Sequence, residues 1–423
     1  MDSISLIIAL PKDLLYLVSN YDPSIFSIFP ESEMIKHDWF QLMKKNFSRE
    51  YSKTESSNHS LMKIYFEFCL KKSKTLFTTY YAIIRLTDGT LMSCGLNYRG
   101  QLDSADIKNR NKFEIIKGIP KDLADIACGC DHTIIQLIDG TLMSYGLNHD
   151  GQLGHCDNIR RNKFKIIKQI PKNIVEISCG GYHTIIRLTD GTLMSCGLNS
   201  DGQLGYGDDE NRNKFEIIKD IPKNILEISC GNFHTMIRLT DGTLMSSGLN
   251  REGQLGHGDN QNRNKFEIIK ETPKNIAEIS CGPDHTIIRL TDGTLMSCGM
   301  NASGQLGHGD NENRNKFEII KEIPRNIAEI SCGAFVTIIK LTDGTLMSTG
   351  NWGNRNKFER MADTPENISE ISCGGDFIII RLADGTLMSH GEITEGHLYV
   401  ENYDPINKFE LIKNIAGNAL INC

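Results

Sequence analysis

Residues 187–205 read RLTDGTLMSCGLNSDGQLG, and residues 238–256 and 289–307 repeat this stretch with few changes. The copies lie 51 residues apart, except that the last one follows after 41. Self-similarity at a period of this length is typical of solenoids and propellers. The triplet Asp-Gly-Thr marks seven copies, which begin at Asp88, Asp139, Asp190, Asp241, Asp292, Asp343 and Asp384.

Each copy has the pattern of β-strands. Residues 184–189, Thr-Ile-Ile-Arg-Leu-Thr, are rich in β-branched side chains, and the Asp-Gly that follows is typical of a tight hairpin turn. Thr-Leu-Met-Ser-Cys is then the returning strand, and two further strands are Asn-Lys-Phe-Glu-Ile-Ile-Lys and Glu-Ile-Ser-Cys. Four strands in each copy predict one propeller blade, so the chain is predicted to be a mainly β, seven-bladed propeller. The alternative is a β-solenoid, but its coils lack a tight hairpin in every unit.

The ends of the repeat region predict how the ring closes. The first copy begins at Thr79 without a Glu-Ile-Ser-Cys segment before it, whereas residues 415–423 align with the segment at residues 173–179. Pairing this C-terminal strand with the first blade would remove two open sheet edges. We therefore expect the C-terminal strand to close the propeller.

The repeated motifs resemble the regulator of chromosome condensation repeat family. These motifs are Cys-Gly-x-x-His-Thr, Asp-Gly-Thr, Gly-Leu-Asn-x-x-Gly-Gln-Leu-Gly and His-Gly-Asp. The resemblance covers residues 77–423 and also implies a seven-bladed propeller. That family usually has an aromatic residue before the Gly of the second strand, and different packing is implied here by the residues at that site, which are Cys94, Tyr145, Cys196, Ser247, Cys298, Thr349 and His390.

Composition and charge narrow the possible functions. No run of about eighteen apolar residues is present, so no membrane-spanning helix is predicted. The N-terminal residues lack the basic region of a secretory signal, and the thirteen cysteines then indicate reduced thiols in the cytoplasm or nucleus. Residues 77–423 carry a net charge of −8, which is a poor match for nucleic acid. We expect a monomer with protein partners.

The repeated polar residues do not predict a catalytic or metal site. The Cys of Ser-Cys-Gly and the His of His-Thr occur once in each blade, so they cannot all converge on one ion. The Gly-Gln-Leu-Gly stretch is not followed by the Lys-Ser/Thr of a phosphate-binding loop. We therefore predict buried structural cysteines and histidines, no cofactor, no metal and no enzymatic activity.

Two short sites differ between the copies while the strands stay constant. One site follows Gly-Leu-Asn and the other follows Cys-Gly. Variable connections on a constant scaffold are where binding surfaces are usually built, although neutral drift explains the same variation without any partner. The sixth copy also lacks its Gly-Gln-Leu-Gly-His-Gly-Asp loop. The candidate partner-binding residues of the propeller are Arg99, Asp131, Tyr182, Phe233, Asp284, Phe335 and, in place of the missing loop, Trp352.

Residues 1–70 share nothing with the repeats, and their apolar spacing predicts three short helices. Residues 71–76 are predicted to be a linker to the propeller at 77–423. The order of the apolar residues is similar to an F-box, a family whose helices dock on the Skp subunit of a cullin-type ubiquitin ligase while the C-terminal repeats hold a substrate. A helical cap without a partner is the alternative. The residues that the resemblance places at the Skp contact are Leu10, Pro11, Leu14, Leu15 and Trp39.

Three functions are consistent with these features. The first is a non-enzymatic adaptor, in particular the substrate-recognition subunit of a cullin-type ubiquitin ligase. The second is guanine-nucleotide exchange on a small GTPase, which the founding member of the repeat family performs on Ran. The uniform 51-residue units leave no room for the insertion that this family wedges against the GTPase. The third is a propeller scaffold with an unknown partner.

Overall fold

The computed structural model describes residues 75–77, 81–86, 89–102, 108–351, 355–375, 377–391 and 409–412. These residues form seven four-stranded antiparallel sheets, so the prediction of a mainly β, seven-bladed propeller is confirmed. Within this part of the chain there is no helix of the length and hydropathy needed to cross a membrane. The predicted helical segment with Leu10, Pro11, Leu14, Leu15 and Trp39 lies outside the described residues, as does Trp352.

Each sheet consists of four strands that are consecutive in the chain. The first two blades contain β1 (Thr75–Phe77), β2 (Tyr81–Arg85), β3 (Leu91–Gly95), β4 (Arg110–Ile115), then β5 (Leu123–Cys128), β6 (His132–Leu137), β7 (Leu142–Gly146) and β8 (Arg161–Ile166). The third and fourth contain β9 (Ile174–Cys179), β10 (His183–Leu188), β11 (Leu193–Gly197), β12 (Arg212–Ile217), then β13 (Ile225–Cys230), β14 (His234–Leu239), β15 (Leu244–Gly248) and β16 (Arg263–Ile268). The last three contain β17 (Ile276–Cys281), β18 (His285–Leu290), β19 (Leu295–Gly299), β20 (Arg314–Ile319), then β21 (Ile327–Cys332), β22 (Val336–Leu341), β23 (Leu346–Gly350), β24 (Arg355–Arg360), then β25 (Ile368–Cys373), β26 (Phe377–Leu382), β27 (Leu387–Gly391) and β28 (Glu410–Leu411).

The hydrophobic core lies between neighbouring blades. Ile134 and Leu142 of the second blade pack in one cluster with Ile177 and Ile186 of the third, and all four are almost completely buried. Each such side chain contributes about 1.5–3 kcal/mol relative to an exposed one. Because a flat four-stranded sheet buries its apolar faces only against other sheets, the blades stabilise one another around the ring.

The ring closes between the seventh and first blades. Ala82 and Ile84 of β2 share a buried cluster with Phe377 and Leu387 of the seventh blade. Across the same junction, the Arg381 side chain donates a hydrogen bond from Nη2 to the backbone carbonyl of Arg85 at 3.1 Å. The junction therefore has both apolar and polar contacts.

The prediction that residues 415–423 complete the first blade is wrong. That position is taken by β1, whose residues Thr75–Phe77 pair antiparallel with β2. A strand that directly precedes its partner in the chain loses far less loop-closure entropy than one from the other end of the repeat region. Residues 415–423 themselves lie outside the described residues.

In the first six blades, the turn after the outer strand contains a residue in the left-handed region. Gly118 holds this position after the first blade, with φ of 78°. In later blades non-glycine residues adopt the same conformation, with φ between 58° and 63° at Gln169, Asp220, Glu271 and Glu322. A Cβ in the left-handed region costs roughly 1–2 kcal/mol. These turns therefore carry backbone strain that the first turn avoids.

The substitution Glu271→Gly is expected to raise the free energy of unfolding by about 0.5–1 kcal/mol, because relief of the strain outweighs the larger unfolded-state entropy of glycine. Urea denaturation at pH 7 measures this difference. The reverse change, Gly118→Glu, should destabilise the chain by a similar amount, since a Cβ at Gly118 meets no atom within 4 Å. Equal stabilities of the unchanged chain and the two variants would contradict the strain.

Candidate protein-binding face

The two variable sites of each repeat lie at the same end of its sheet. The first strand of a blade ends at its Cys and the third ends at its Gly, and antiparallel neighbours reverse direction, so both strands finish on one face. We call this the loop face: the described residues after Cys-Gly in the second to seventh blades and those after Gly-Leu-Asn or Gly-Met-Asn in the first five blades. The opposite face carries the Asp-Gly hairpins. The loop face brings together the predicted residues Arg99, Asp131, Tyr182, Phe233, Asp284 and Phe335.

A cavity of ≈ 140 Å³ lies at the centre of the loop face, where the innermost strands end. Backbone hydrogen bonds connect the surrounding turns from blade to blade: the N–H groups of Cys130, Gly181 and Asn232 donate to the carbonyls of Gly181, Asn232 and Pro283 at 3.0 Å each. Pro283 has no N–H to continue the series. The lining consists of the Cys-Gly pairs of six blades and, in five of them, the residue that follows, which are Cys130, Gly181, Asn232, Pro283 and Ala334.

Aromatic side chains stand next to this cavity. Tyr182 and Phe233 are half-buried and stack on each other, with ring centroids 5.8 Å apart and an interplanar angle of 29°. Phe335 is 37% exposed. Asp284 is half-buried and holds the equivalent position in the blade between those of Phe233 and Phe335.

Two of the predicted residues, Asp131 and Arg99, belong to the second and first blades and have different environments. Asp131 is buried and accepts a hydrogen bond from Gln101 Nε2 at 3.2 Å, so it supports the loop face from inside. Burial raises the pKa of the Asp131 carboxyl, and the nearby Arg99 guanidinium opposes that shift. Arg99 is exposed and lies over the ring of Tyr98, 5.2 Å from its centroid.

Beneath the loop face, four buried histidines connect consecutive blades, an arrangement that sequence analysis missed. Thr184 donates its hydroxyl hydrogen to the Gln152 carbonyl at 2.9 Å, so it can only accept from the histidine, which places the proton on Nε2. The second ring nitrogen, Nδ1, is buried without a partner in each of these histidines. The Nε2–Oγ1 pairs are His132–Thr184 at 2.9 Å, His183–Thr235 at 2.9 Å, His234–Thr286 at 3.1 Å and His285–Thr337 at 3.0 Å.

Where an apolar residue replaces the histidine, the facing residue is apolar as well. In the first blade Tyr81 replaces it, and the Tyr81 hydroxyl keeps a hydrogen bond with Thr133, with the two oxygens 2.9 Å apart. Val336 replaces the histidine in the sixth blade, and the facing threonine of the seventh blade is then Ile378, in the same buried cluster. Phe377 replaces it in the seventh blade, and its partner in the first blade is Ala82, again in one cluster. Replacing both partners of a buried hydrogen bond by apolar groups costs little, whereas replacing one leaves the other unsatisfied. This coupled change between neighbouring repeats is the feature of the sequence from which the histidine–threonine pairs could have been predicted.

The histidines are electrically neutral at physiological pH. Burial lowers the pKa of His132, His183 and His234 to about 3 and that of His285 to about 4. Groups with such low pKa values do not change their protonation state near pH 7. Because the side chains are fully buried, a bound partner cannot reach them. They hold the blades in register under the loop face.

The cysteines of the inner strands are also structural. Cys281 donates its thiol hydrogen to the Ser229 carbonyl of the preceding blade, with Sγ and O 3.5 Å apart. Burial raises the pKa of Cys230 and Cys332 to about 12, so both remain protonated. Among the described residues, no group of three or more His, Cys, Asp or Glu side chains is arranged to hold a metal ion.

The family is decided by a match that covers most of the repeats. The sequence pattern of the RCC1-like domain matches residues 71–339. The chain belongs to the RCC1-like domain family. The resemblance of the repeats to the regulator of chromosome condensation is thereby confirmed, whereas an F-box in residues 1–70 stays a prediction.

The fold of this RCC1-like domain is shared with solved structures. Yeast RCC1 (Prp20), crystallised bound to Kap60, has a TM-score of 0.68 at 16% sequence identity, covering 81% of this chain and 86% of Prp20. Human WBSCR16 has a TM-score of 0.67 at 17% identity, covering 77% and 94% of the two chains. At this level of identity the likeness concerns the fold alone.

Two curated relatives are similar in sequence to the RCC1-like domain. The human probable E3 ubiquitin-protein ligase HERC6 is 28% identical over 289 residues, which cover 64% of this chain and 28% of HERC6. The ultraviolet-B receptor UVR8 of Arabidopsis thaliana is 30% identical over 282 residues, which cover 64% of this chain and 63% of UVR8. The chain therefore matches less than two thirds of the length of either relative.

Proposed function

We propose that this chain is a non-enzymatic adaptor that binds a protein partner on the loop face of its RCC1-like domain. The observation that carries the proposal is where the repeats differ. Asp-Gly-Thr is identical in all seven copies on the opposite face, whereas equivalent positions of the loop face hold Asp131, Tyr182, Phe233, Asp284 and Phe335. Since the fold accepts all of these, it does not require any one of them, and they are free to serve recognition.

The loop face has the composition of a recognition surface. Partly exposed aromatic side chains next to a cavity are the residues that dominate protein–protein interfaces. Phe335 is the most exposed of the three aromatics after Cys-Gly, and Tyr182 and Phe233 are already ordered by stacking. Ordered aromatic side chains lose little conformational entropy on binding, which favours affinity.

In its more specific form, the proposal makes this chain the substrate-recognition subunit of a cullin-type ubiquitin ligase. The F-box-like order of Leu10, Pro11, Leu14, Leu15 and Trp39 supports a Skp contact, and the loop face would then hold the target. The similar protein HERC6 is itself named as a probable E3 ubiquitin-protein ligase, which is consistent with this setting. Nucleotide exchange on a small GTPase is the alternative for the same face.

Affinity purification of the full chain, followed by mass spectrometry, tests the loop face. We expect Phe335→Ser to lower capture of the partner by about tenfold, the usual effect of truncating a central aromatic anchor. Ile268→Ser is the matched control, because Ile268 is 56% exposed at the end of an outer strand away from this face. Equal loss with both variants, or none with Phe335→Ser, would contradict the proposal.

The proteins captured by the unchanged chain decide its specific role. A Skp-type subunit that is retained by Phe335→Ser supports the ligase subunit, since the two partners would then bind different regions. Absence of any Skp-type subunit contradicts that role and leaves the adaptor. Capture of a small GTPase whose release of fluorescent GDP is accelerated by the chain would favour the exchange factor instead.

A further inference from the structure

Asp284 is a carboxylate at the cavity without a cation to balance it. The side chain is half-buried, and no Lys, Arg or His among the described residues forms an ion pair with it. Burial raises the pKa of Asp284, and the negative charge of Glu252 raises it further. Asp284 also contributes, after burial and Asp131, to the raised pKa of the Cys130 thiol on the cavity wall. A carboxylate withdrawn from water without a partner is unfavourable.

The blades on both sides of Asp284 carry a phenylalanine at the equivalent position. Phe233, Asp284 and Phe335 hold this position in three consecutive repeats. The face of an aromatic ring attracts a cation within about 6 Å of its centroid. The chain already contains one such contact on this face, between Arg99 and Tyr98.

The charges around this group favour a positive ligand. Within the two variable sites, the described acidic residues outnumber the described lysines and arginines. A cluster of one sign attracts and orients ligands of the other. The acidic residues are Asp131, Asp150, Asp201, Glu252 and Asp284, and the basic ones are Arg99 and Arg251.

The polar groups under Asp284 are also incomplete. Gln101 Nε2 donates to Asp131 of the next blade at 3.2 Å. Gln254 has the equivalent place before Asp284, yet its Nε2 is buried with no hydrogen-bond partner. The side-chain hydrogen bond that joins Gln101 to Asp131 is therefore missing between Gln254 and Asp284. The Asp284 carboxylate is left without this donor.

We infer that the partner presents a lysine or arginine side chain to the loop face, where Asp284 pairs with its charge and Phe233 and Phe335 hold it between their rings. This inference rests on the proposed function and specifies the chemistry of the partner. It commits to a basic protein segment, because Asp284 supplies the charge and the rings bind the aliphatic stem and the cation.

The test uses the full chain and a random twelve-residue peptide library displayed on phage. We expect the enriched peptides to share a lysine or arginine. The best peptide is then synthesised twice, with that residue kept or replaced by norleucine, and its Kd is measured by fluorescence polarisation. Norleucine keeps the apolar stem without the charge, so we expect about tenfold weaker binding.

Variants of the chain locate the contact. Asp284→Asn should weaken binding of the basic peptide about tenfold and leave binding of the norleucine peptide unchanged, since the two changes remove the same interaction. Asp220→Asn removes the same charge from the opposite face and should change the binding of neither peptide. Thermal melts of both variants test whether they fold. Phe233→Leu should weaken the basic peptide about threefold through loss of the ring face.

Three outcomes would overturn the inference: no enrichment of peptides, enriched peptides without a basic residue, or equal effects of Asp284→Asn and Asp220→Asn. The proposed function is judged separately by Phe335→Ser in the affinity purification. If that variant loses its partner while Asp284→Asn leaves peptide and partner binding unchanged, the loop face is an interface of another chemistry.

Discussion

Lowering the pH from 6.5 to 5.5 is expected to reduce the free energy of unfolding of this chain by about 4 kcal/mol, since each of four buried histidines contributes about 1 kcal/mol. In the folded state the pKa values of His132, His183 and His234 are lowered to about 3 and that of His285 to about 4. In the unfolded chain they return to about 6.5. The unfolded state therefore binds more protons in this window, and the stability present above pH 6.5 is lost as the pH falls.

Other titrating groups do not reverse this direction. Burial raises the pKa of Glu227 to about 7, against the pairing with Arg238, so this carboxyl makes the folded state more stable as the pH falls towards 4.5. Burial also raises the pKa of Asp131, Asp150, Glu278 and Asp284, which act in the same direction. His155 adds to the effect of the four buried histidines, because burial lowers its pKa to about 4. Asp139 and Asp157 have pKa values lowered to about 2, and hydrogen bonds to Lys172 and Arg161 contribute to these shifts. They add to the loss only below about pH 4.

The chain supplies its own control for the histidine effect. The double substitution His285→Val and Thr337→Ile copies the natural pair of Val336 and Ile378. It should lower stability at pH 7 by about 1–2 kcal/mol, because the Gln305 carbonyl loses the hydroxyl donor of Thr337. The difference between pH 6.5 and 5.5, measured by urea denaturation, should shrink by about 1 kcal/mol. An unchanged difference would show that the histidines are not its source.

The repeats made the blades predictable, because each blade is built from contacts within one copy. The hairpin of β10 and β11 falls at Asp190-Gly191, where the sequence placed it. The start of the ring was not predictable in the same way. Thr75–Phe77 pairs with β2 through backbone groups, and its three residues do not carry the repeated Glu-Ile-Ser-Cys pattern.

Contacts between blades explain the other features of the structure that the sequence did not predict. A histidine that becomes Val336 or Phe377 looks like a variable residue until its partner one repeat later, Ile378 or Ala82, is compared with it. Variation also located the loop face, but exposure did not follow from it. Asp131 is buried and accepts a hydrogen bond from Gln101 of the preceding blade, and no spacing within one repeat indicates that contact.

Replacement of Gly191 by alanine is expected to lower the free energy of unfolding by about 3–5 kcal/mol. Gly191 has φ of 81°, where a Cβ costs roughly 1–2 kcal/mol. An added Cβ would also lie 1.7 Å from the backbone carbonyl oxygen of Lys223 in the next blade, a contact that backbone atoms cannot avoid by a rotamer change. Separating the two blades to relieve it adds about 1–3 kcal/mol or more.

A variant at Gly344 measures the cost of the backbone conformation without the cost of the contact. It has the same hairpin position and φ of 85°, but a Cβ there meets no atom within 4 Å. Gly344→Ala should therefore lose only about 1–2 kcal/mol from the backbone conformation. The difference between the two alanine variants, measured by urea denaturation at pH 7, isolates the contact between the third and fourth blades. If Gly191→Ala and Gly344→Ala were equally stable, the hairpins would not contribute to contact with the neighbouring blade, and the ring would depend on the other contacts between blades, such as the apolar clusters and the histidine pairs.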